Sequence, residues 1–214
     1  MTVSDRHERE FKRREREILE AAVELFSTLP WEEVTIAQIA KRAEVGKGTV
    51  YKHFASKDEL IGRIVLDERR AFFWKLRQAM EPGLDSLQEA ARRVVQVCWE
   101  RYMSNPRFIQ RLDQYIEQHD FTERIGPGLA RELRTVEEGM LSLFWDGLSS
   151  GIDRGYFTNG DLPLRISTAW ATVSGAIRLA ASPGRTNILE GRMDSFRDEV
   201  ASFILRGLGW REEQ

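Results

Sequence analysis

VGKGTVYKHF, residues 45–54, sets two glycines, two lysines, a histidine and a tyrosine around Val50 and Phe54. Val50 and Phe54 are four apart, the spacing of one helix face, yet glycine is a poor helix former. So short and weak a helix is not stable alone, and its neighbours must brace it. Upstream, Thr35 with Gln38 three residues later forms a capping box. It opens a helix whose inner stripe is Ile36, Ile39, Ala40 and Ala43. Glu44-Val45-Gly46 reads as a tight turn in which the glycine relaxes the backbone. Two short helices on such a turn make a helix-turn-helix, whose second helix enters a DNA major groove. Val45, Val50 and Phe54 then hold that helix inward, leaving Lys47, Gly48, Thr49, Lys52 and His53 outward. Gly48 lets the backbone come close to DNA, and Thr49 can bond a phosphate or meet a base edge. Tyr51 offers a hydroxyl on a rigid arm; Lys52 and Lys57 supply charge.

Charge supports the same reading. Segment 41–57 carries Lys41, Arg42, Lys47, Lys52 and Lys57 against Glu44 alone, a net +4 in a chain of net −2. A basic patch on an acidic body suits docking to phosphate. The charged run RHEREFKRRER ahead of it mixes signs almost evenly. It reads either as an arm following phosphates or as the end of a helix.

Helical periodicity dominates the rest. Residues 11–29 place Ile18, Ala22, Leu25, Phe26 and Leu29 on one face, and Pro30 stops the helix. Ser56 with Glu59 is a second capping box, opening a helix to about Met80 with Leu60, Ile64, Ala71 and Phe72 inward and Pro82-Gly83 at its end. Further helices are predicted over 85–104, 106–119, 127–154, 162–181 and 192–208, punctuated by Pro106, Pro127, GYFTNGD (155–161) and SPGRTN (182–187). Strand-like alternation is nearly absent, so the chain is predicted to be all-α. At 214 residues and 42% hydrophobic content it can bury a real core. One cysteine, Cys98, excludes an internal disulfide and points to a reducing cytoplasm. It reads as a small buried hydrophobe. No run of eighteen apolar residues exists, so no membrane span is expected.

The stretch FKRREREILEAAVELFSTLPWEEVTIAQIAKRAEVGKGTVYKHFASKDELIGRIV resembles the DNA-binding domain of the TetR family of transcriptional regulators. The likeness rests on Thr35, Ile39, Ala40, Ala43, Val45, Gly48, Thr49, Val50, Tyr51, His53, Phe54, Ser56, Lys57 and Leu60 in the family's register, and covers about the first 65 residues. One departure is Leu29-Pro30-Trp31, where family members often have glycine; it implies a different approach angle for the second helix. The resemblance implies a three-helix DNA-binding domain over 1–56 and a helical-bundle effector-binding and dimerisation domain over 57–214. It implies DNA contacts at Thr35, Lys47, Gly48, Thr49, Tyr51, His53 and Lys57, to which the reading of the residues adds the charge of Lys52. A homodimer reading a palindromic double-stranded operator, released by a small-molecule effector, would follow. Repression is the family's usual mode.

In the second half, Ile166, Ala169, Trp170, Val173 and Ile177 make one stripe and Phe196, Val200, Phe203, Ile204 and Gly207 another. Two such stripes suit a two-fold helical dimer, against the alternative that they pack within one subunit. By resemblance, a pocket is expected among Trp99, Tyr102, Phe108, Tyr115, Phe144, Trp145 and Trp170. Arg178 would face either an anionic ligand or a neighbouring carboxylate. Two rivals carry less weight. A helical enzyme lacks support, because His7, His53 and His119 form no metal pair or triad and no phosphate-binding glycine loop occurs. His119-Asp120 beside Glu117 reads as acid–base chemistry or as a solvated helix end. No catalytic residue, metal or cofactor is therefore expected. A non-specific, nucleoid-type DNA binder would show affinity scarcely dependent on sequence.

Overall fold

The computed structural model describes residues 3–81, 87–117, 120–182 and 189–211, with side chains from residue 5 onward. His119, the Pro82-Gly83 stop and the loop at 183–187 lie outside the described residues. Ten helices are described, and the fold is all-α. Two compact units divide the chain. The first comprises 1–69 and 105–134, the second 70–104 and 135–214. The sequence boundary at 56/57 therefore falls inside the first unit, which also takes in a distant stretch of chain.

In the first unit, α1 (Val3–Thr28) is followed by α2 (Ile36–Arg42), α3 (Lys47–His53) and the start of α4 (Lys57–Ala79). To these are added α6 (Pro106–Ile116), α7 (Phe121–Arg124) and the first turns of α8 (Pro127–Asp153). α1 begins well before residue 11 because its charged run is self-complementary at three- and four-residue steps. Glu8 pairs with Lys12 at 2.7 Å, Arg14 with Glu17 at 3.0 Å, and Arg13 with both Glu10 and Glu17. The run is thus a helix. Its inner face buries Ile18, Ala22 and Phe26 completely. At its other end, Arg111 donates to the carbonyls of Phe26 and Leu29 at 2.9 and 2.8 Å, satisfying acceptors that a helix end leaves open.

Trp31, the last residue of the Leu29-Pro30-Trp31 corner, is buried at 4% exposure. It stacks on Phe26 with ring centroids 3.8 Å apart, and lies 5.3 Å from Tyr115 and 6.1 Å from Phe108. This aromatic plug packs the α1–α2 connection against α6. The Ser56–Glu59 capping box is half formed. Ser56 Oγ accepts from the Glu59 N–H at 3.0 Å, while the Glu59 carboxylate takes the N–H of Ala55, at 2.6 Å, one residue earlier than expected.

The second unit holds the rest of α4 and α8 together with α5 (Leu87–Ser104), α9 (Leu162–Ala180) and α10 (Met193–Gly207). Phe72, Leu76, Val95, Cys98, Trp99, Val173, Ile177 and Val200 lie in one buried cluster. Cys98 is a core residue there, and burial pushes its thiol up to about 12. Part of each predicted stripe is used inside the chain: Val173, Ile177 and Val200 are buried, whereas Trp170 and Phe203 remain 45% and 57% exposed. The 155–161 loop turns back so that Phe157 pairs with Trp210 through a single antiparallel bridge. Arg165 donates to the carbonyls of Thr158 and Leu208, tying the loop to the end of α10.

Candidate nucleic-acid interface

Thr35 is the N-cap of α2. Its Oγ1 accepts from the Gln38 N–H at 3.3 Å, and its own N–H donates to Gln38 Oε1 at 2.7 Å. The predicted capping box is present on both sides. The hydroxyl also donates to Gln38 Oε1 at 2.8 Å, so it is already engaged within the turn. Ile39 and Ala40 bury the inner side of α2.

The turn differs from its sequence reading in one respect. The left-handed residue is Glu44, at φ 55°, while Gly46 is extended at φ −74°, ψ 149°. The reason is the way α2 ends. The Val45 N–H reaches the Ala40 carbonyl at 2.9 Å and the Glu44 N–H that of Lys41 at 3.3 Å. This Schellman pattern requires its left-handed residue directly after the C-cap, Ala43, and position 44 is that place. Gly46 serves instead as the N-cap of α3, where extended backbone suffices.

α3 is seven residues long and is held by Val50, which is fully buried, and by Phe54 at its end. Lys47, Gly48, Tyr51 and Lys52 are exposed and Thr49 is half-buried. A Cβ placed on Gly48 would meet nothing within 4 Å. His53 does not point outward as expected. Its ring stacks on Phe11 of α1, centroids 4.0 Å apart at 30°, and its Nδ1 is buried without a hydrogen-bond partner. Burial lowers its pKa below 6.5; Glu15 opposes the shift and Arg14 adds to it. Lys57, in the first turn of α4, donates its Nζ to the Trp31 carbonyl. Burial lowers the pKa of that amine too, with Glu32 and Asp58 opposing. Arg42 pairs with Glu24 of α1. The exposed cationic side chains of the segment are thus Lys41, Lys47 and Lys52, together with the paired Arg42.

The eight expected pocket residues are divided between the two units. Phe108 and Tyr115 lie in the first unit around Trp31, where the Tyr115 hydroxyl donates to Asp58 and the Arg124 guanidinium sits 4.9 Å over its ring. The Trp31 plug recruits them into that core. In the second unit, Trp99 is buried with Tyr102 and Phe144 packed against its cluster, while Trp145, Trp170 and Arg178 are exposed. An open groove of about 640 Å³ in the second unit, lined by Trp74, Gln78, Arg92, Arg93, Gln96 and Arg197 among others, contains none of the eight. Among the described residues no group of three His, Cys, Asp or Glu could hold a metal ion, and no helix is long and apolar enough to cross a membrane. Sequence reasoning missed Phe11; its signal was a single aromatic ring within a run of charges.

Comparison with known proteins agrees with this geometry. Residues 18–64 match the family described as bacterial regulatory proteins, tetR family. The chain is 39% identical over 71 residues to the uncharacterized HTH-type transcriptional regulator YhgD of Bacillus subtilis, covering 33% of this chain and 37% of that protein. It is 33% identical over 90 residues to the HTH-type transcriptional regulator TcmR of Streptomyces glaucescens, covering 41% and 40%. The chain thus spans about two fifths of the length of these two relatives. The crystal structure of the regulator FadR from Bacillus subtilis in complex with stearoyl-CoA superposes with a TM-score of 0.71 at 17% identity, covering 90% of this chain and 98% of that one. That likeness speaks for the fold. Helix-turn-helix geometry, the residues that build it and the match agree over 18–64: this stretch is similar to the tetR family of bacterial regulatory proteins.

Proposed function

We propose that this chain is a ligand-responsive transcriptional regulator, a repressor, that binds a palindromic operator as a homodimer through helix 47–54. Gly48 carries the proposal. It lies at the start of an exposed seven-residue helix, with negative φ and open space where a side chain would go. Nothing in the fold asks for glycine there, and glycine in a helix costs roughly 0.5–1 kcal/mol relative to alanine. Close approach of DNA accounts for it. Lys47, Thr49, Tyr51 and Lys52 share this helix and are available to phosphates and base edges. Thr35, His53 and Lys57 act from behind, holding the reading helix and its neighbours.

The division of labour follows the sequence, with 1–56 reading DNA and 57–214 sensing a ligand and dimerising. Support for a second copy comes from the second unit, where Leu141, Trp145, Leu164, Trp170 and Phe203 are large, apolar and exposed. A two-fold pair would place two reading helices about 34 Å apart, one turn of DNA. Support for an effector comes from the regulator of the same fold that was crystallised with stearoyl-CoA, which makes a long-chain acyl thioester the first probe. The effector releases DNA only by binding the non-reading shape more tightly. A lone buried thiol suits a reducing cytoplasm.

The experiment is Gly48→Ala, measured against a duplex that the unmodified chain enriches from a random-sequence library. The variant should be as stable as the parent or more so, and should bind that duplex at least about tenfold more weakly, as loss of one well-placed contact would do. Unchanged binding would remove the reason offered for Gly48. Enrichment of no sequence at all would instead indicate a non-specific DNA binder.

A further inference from the structure

The ring of Phe11 is 47% exposed in a run otherwise made of charged residues. It lies seven residues ahead of the segment that matches the family. Its one stacking partner among the described residues is His53, the last residue of α3. We infer that Phe11 is a positioning residue for DNA reading: through the Phe11–His53 stack, the N-terminal turns of α1 clamp the C-terminal end of the recognition helix. The inference rests on the DNA-reading role proposed above.

Three observations support the clamp. The first is need. α3 has seven residues and no side-chain N-cap, so it has little stability of its own. Val50 and Phe54 fix its inner face, and the His53 side chain, between them and the surface, is held by Phe11. The second is rigidity of the clamp. The turns that carry Phe11 are knit by Glu8–Lys12 on one side and Glu10–Arg13 and Arg14–Glu17 on the other. They present the ring from a continuous helix and not from a loose arm. The third is the cost of the contact. His53 Nδ1 is buried with no partner, a loss that a surface histidine would avoid by turning to water. The stacking geometry offsets it, since offset aromatic pairs attract beyond their buried area. Hydrogen bonding to base edges demands donor–acceptor distances held within a few tenths of an ångström. A recognition helix loose at one end would lose discrimination before it lost attraction to phosphate.

The test uses the full chain and two probes: the duplex enriched by the unmodified chain, and a duplex of scrambled sequence. Phe11→Ala should weaken binding to the enriched duplex by about two- to tenfold, the range one aromatic pair can supply. It should leave the scrambled duplex and the salt slope unchanged, because Phe11 carries no charge. Phe11→Tyr should restore binding. His53→Ala should resemble Phe11→Ala, and the double variant should be no weaker than either single one, as for two halves of one contact. Amide hydrogen exchange provides a reading independent of DNA. In Phe11→Ala, exchange should rise over 47–53 and stay constant over 36–42. Equal binding of the enriched duplex by Phe11→Ala, or equal loss on both duplexes, would overturn the clamp while leaving the DNA-reading proposal standing. If the unmodified chain enriches no sequence, the reading proposal falls first and takes the clamp with it.

Discussion

At the scale of single residues, the reading head sorts its cations by what already holds them. Lys47 is exposed at the first turn of α3, whereas Lys57 is half-buried with its amine on the Trp31 carbonyl. Two lysines of equal formal charge should therefore behave differently. Lys47→Ala is expected to reduce the salt slope of duplex binding by about 0.9, the value of one phosphate contact. Lys57→Ala should change the slope less and lower the thermal midpoint more, because it removes a staple between the α1–α2 connection and α4. Fluorescence titrations across a salt series, with thermal melts, check both. His53 gives a pH prediction. Its folded pKa lies below the unfolded value of 6.5, chiefly through burial. The unfolded chain therefore takes the proton first as pH falls. Stability should be fullest above about 6.5 and decline on acidification until the folded-state value is passed. Glu15 moderates this loss and Arg14 deepens it. His53→Gln should lack this component in denaturant titrations at a series of pH values.

At the scale of elements, two positions reveal what the packing demands. Glu44 occupies a left-handed conformation that disfavours any side chain by roughly 1–2 kcal/mol. Glu44→Gly should raise stability by about 1 kcal/mol, seen as a shift of the denaturation midpoint with an unchanged slope. Gly62, in α4, is the opposite case. A Cβ there would lie 2.8 Å from Ile125 Cγ2 and 2.9 Å from Ile125 Cβ, so neither helix can yield by turning a side-chain tip. Gly62→Ala should destabilise by about 1–3 kcal/mol through overpacking, although alanine is the better helix former. The sign separates packing from propensity. The same contrast explains what could be read in advance. The Thr35–Gln38 box depends on local chemistry alone, and it formed as predicted. The turn over Glu44-Val45-Gly46 is legible in the sequence, but the closure of α2, and not the glycine, decides that its left-handed residue is Glu44.

At the scale of the whole molecule, the exposed apolar residues of the second unit carry the remaining prediction. Phe203 is 57% exposed in the single chain, so Phe203→Glu should scarcely affect the fold of one subunit. If α10 packs on a second copy, the same substitution buries an unpaired charge there. Sedimentation equilibrium should show a dimer for the parent chain and a shift toward monomer for Phe203→Glu, with weaker binding of the enriched duplex. A parent chain that sediments as a monomer would dismiss the paired reading. What the sequence determined by itself was whatever rests on neighbours in the chain: helical periods, caps, the three-residue turn and the ordered set from Thr35 to Leu60 within the segment that matches the family. Tertiary structure alone decided which distant residues meet. It set Phe11 against His53, tied Lys57 to the Trp31 carbonyl, and gathered Phe108 and Tyr115 around Trp31. Helix pattern and capping act over three or four residues, whereas a stack or a staple depends on how separate helices come to rest against one another, which no local spacing encodes.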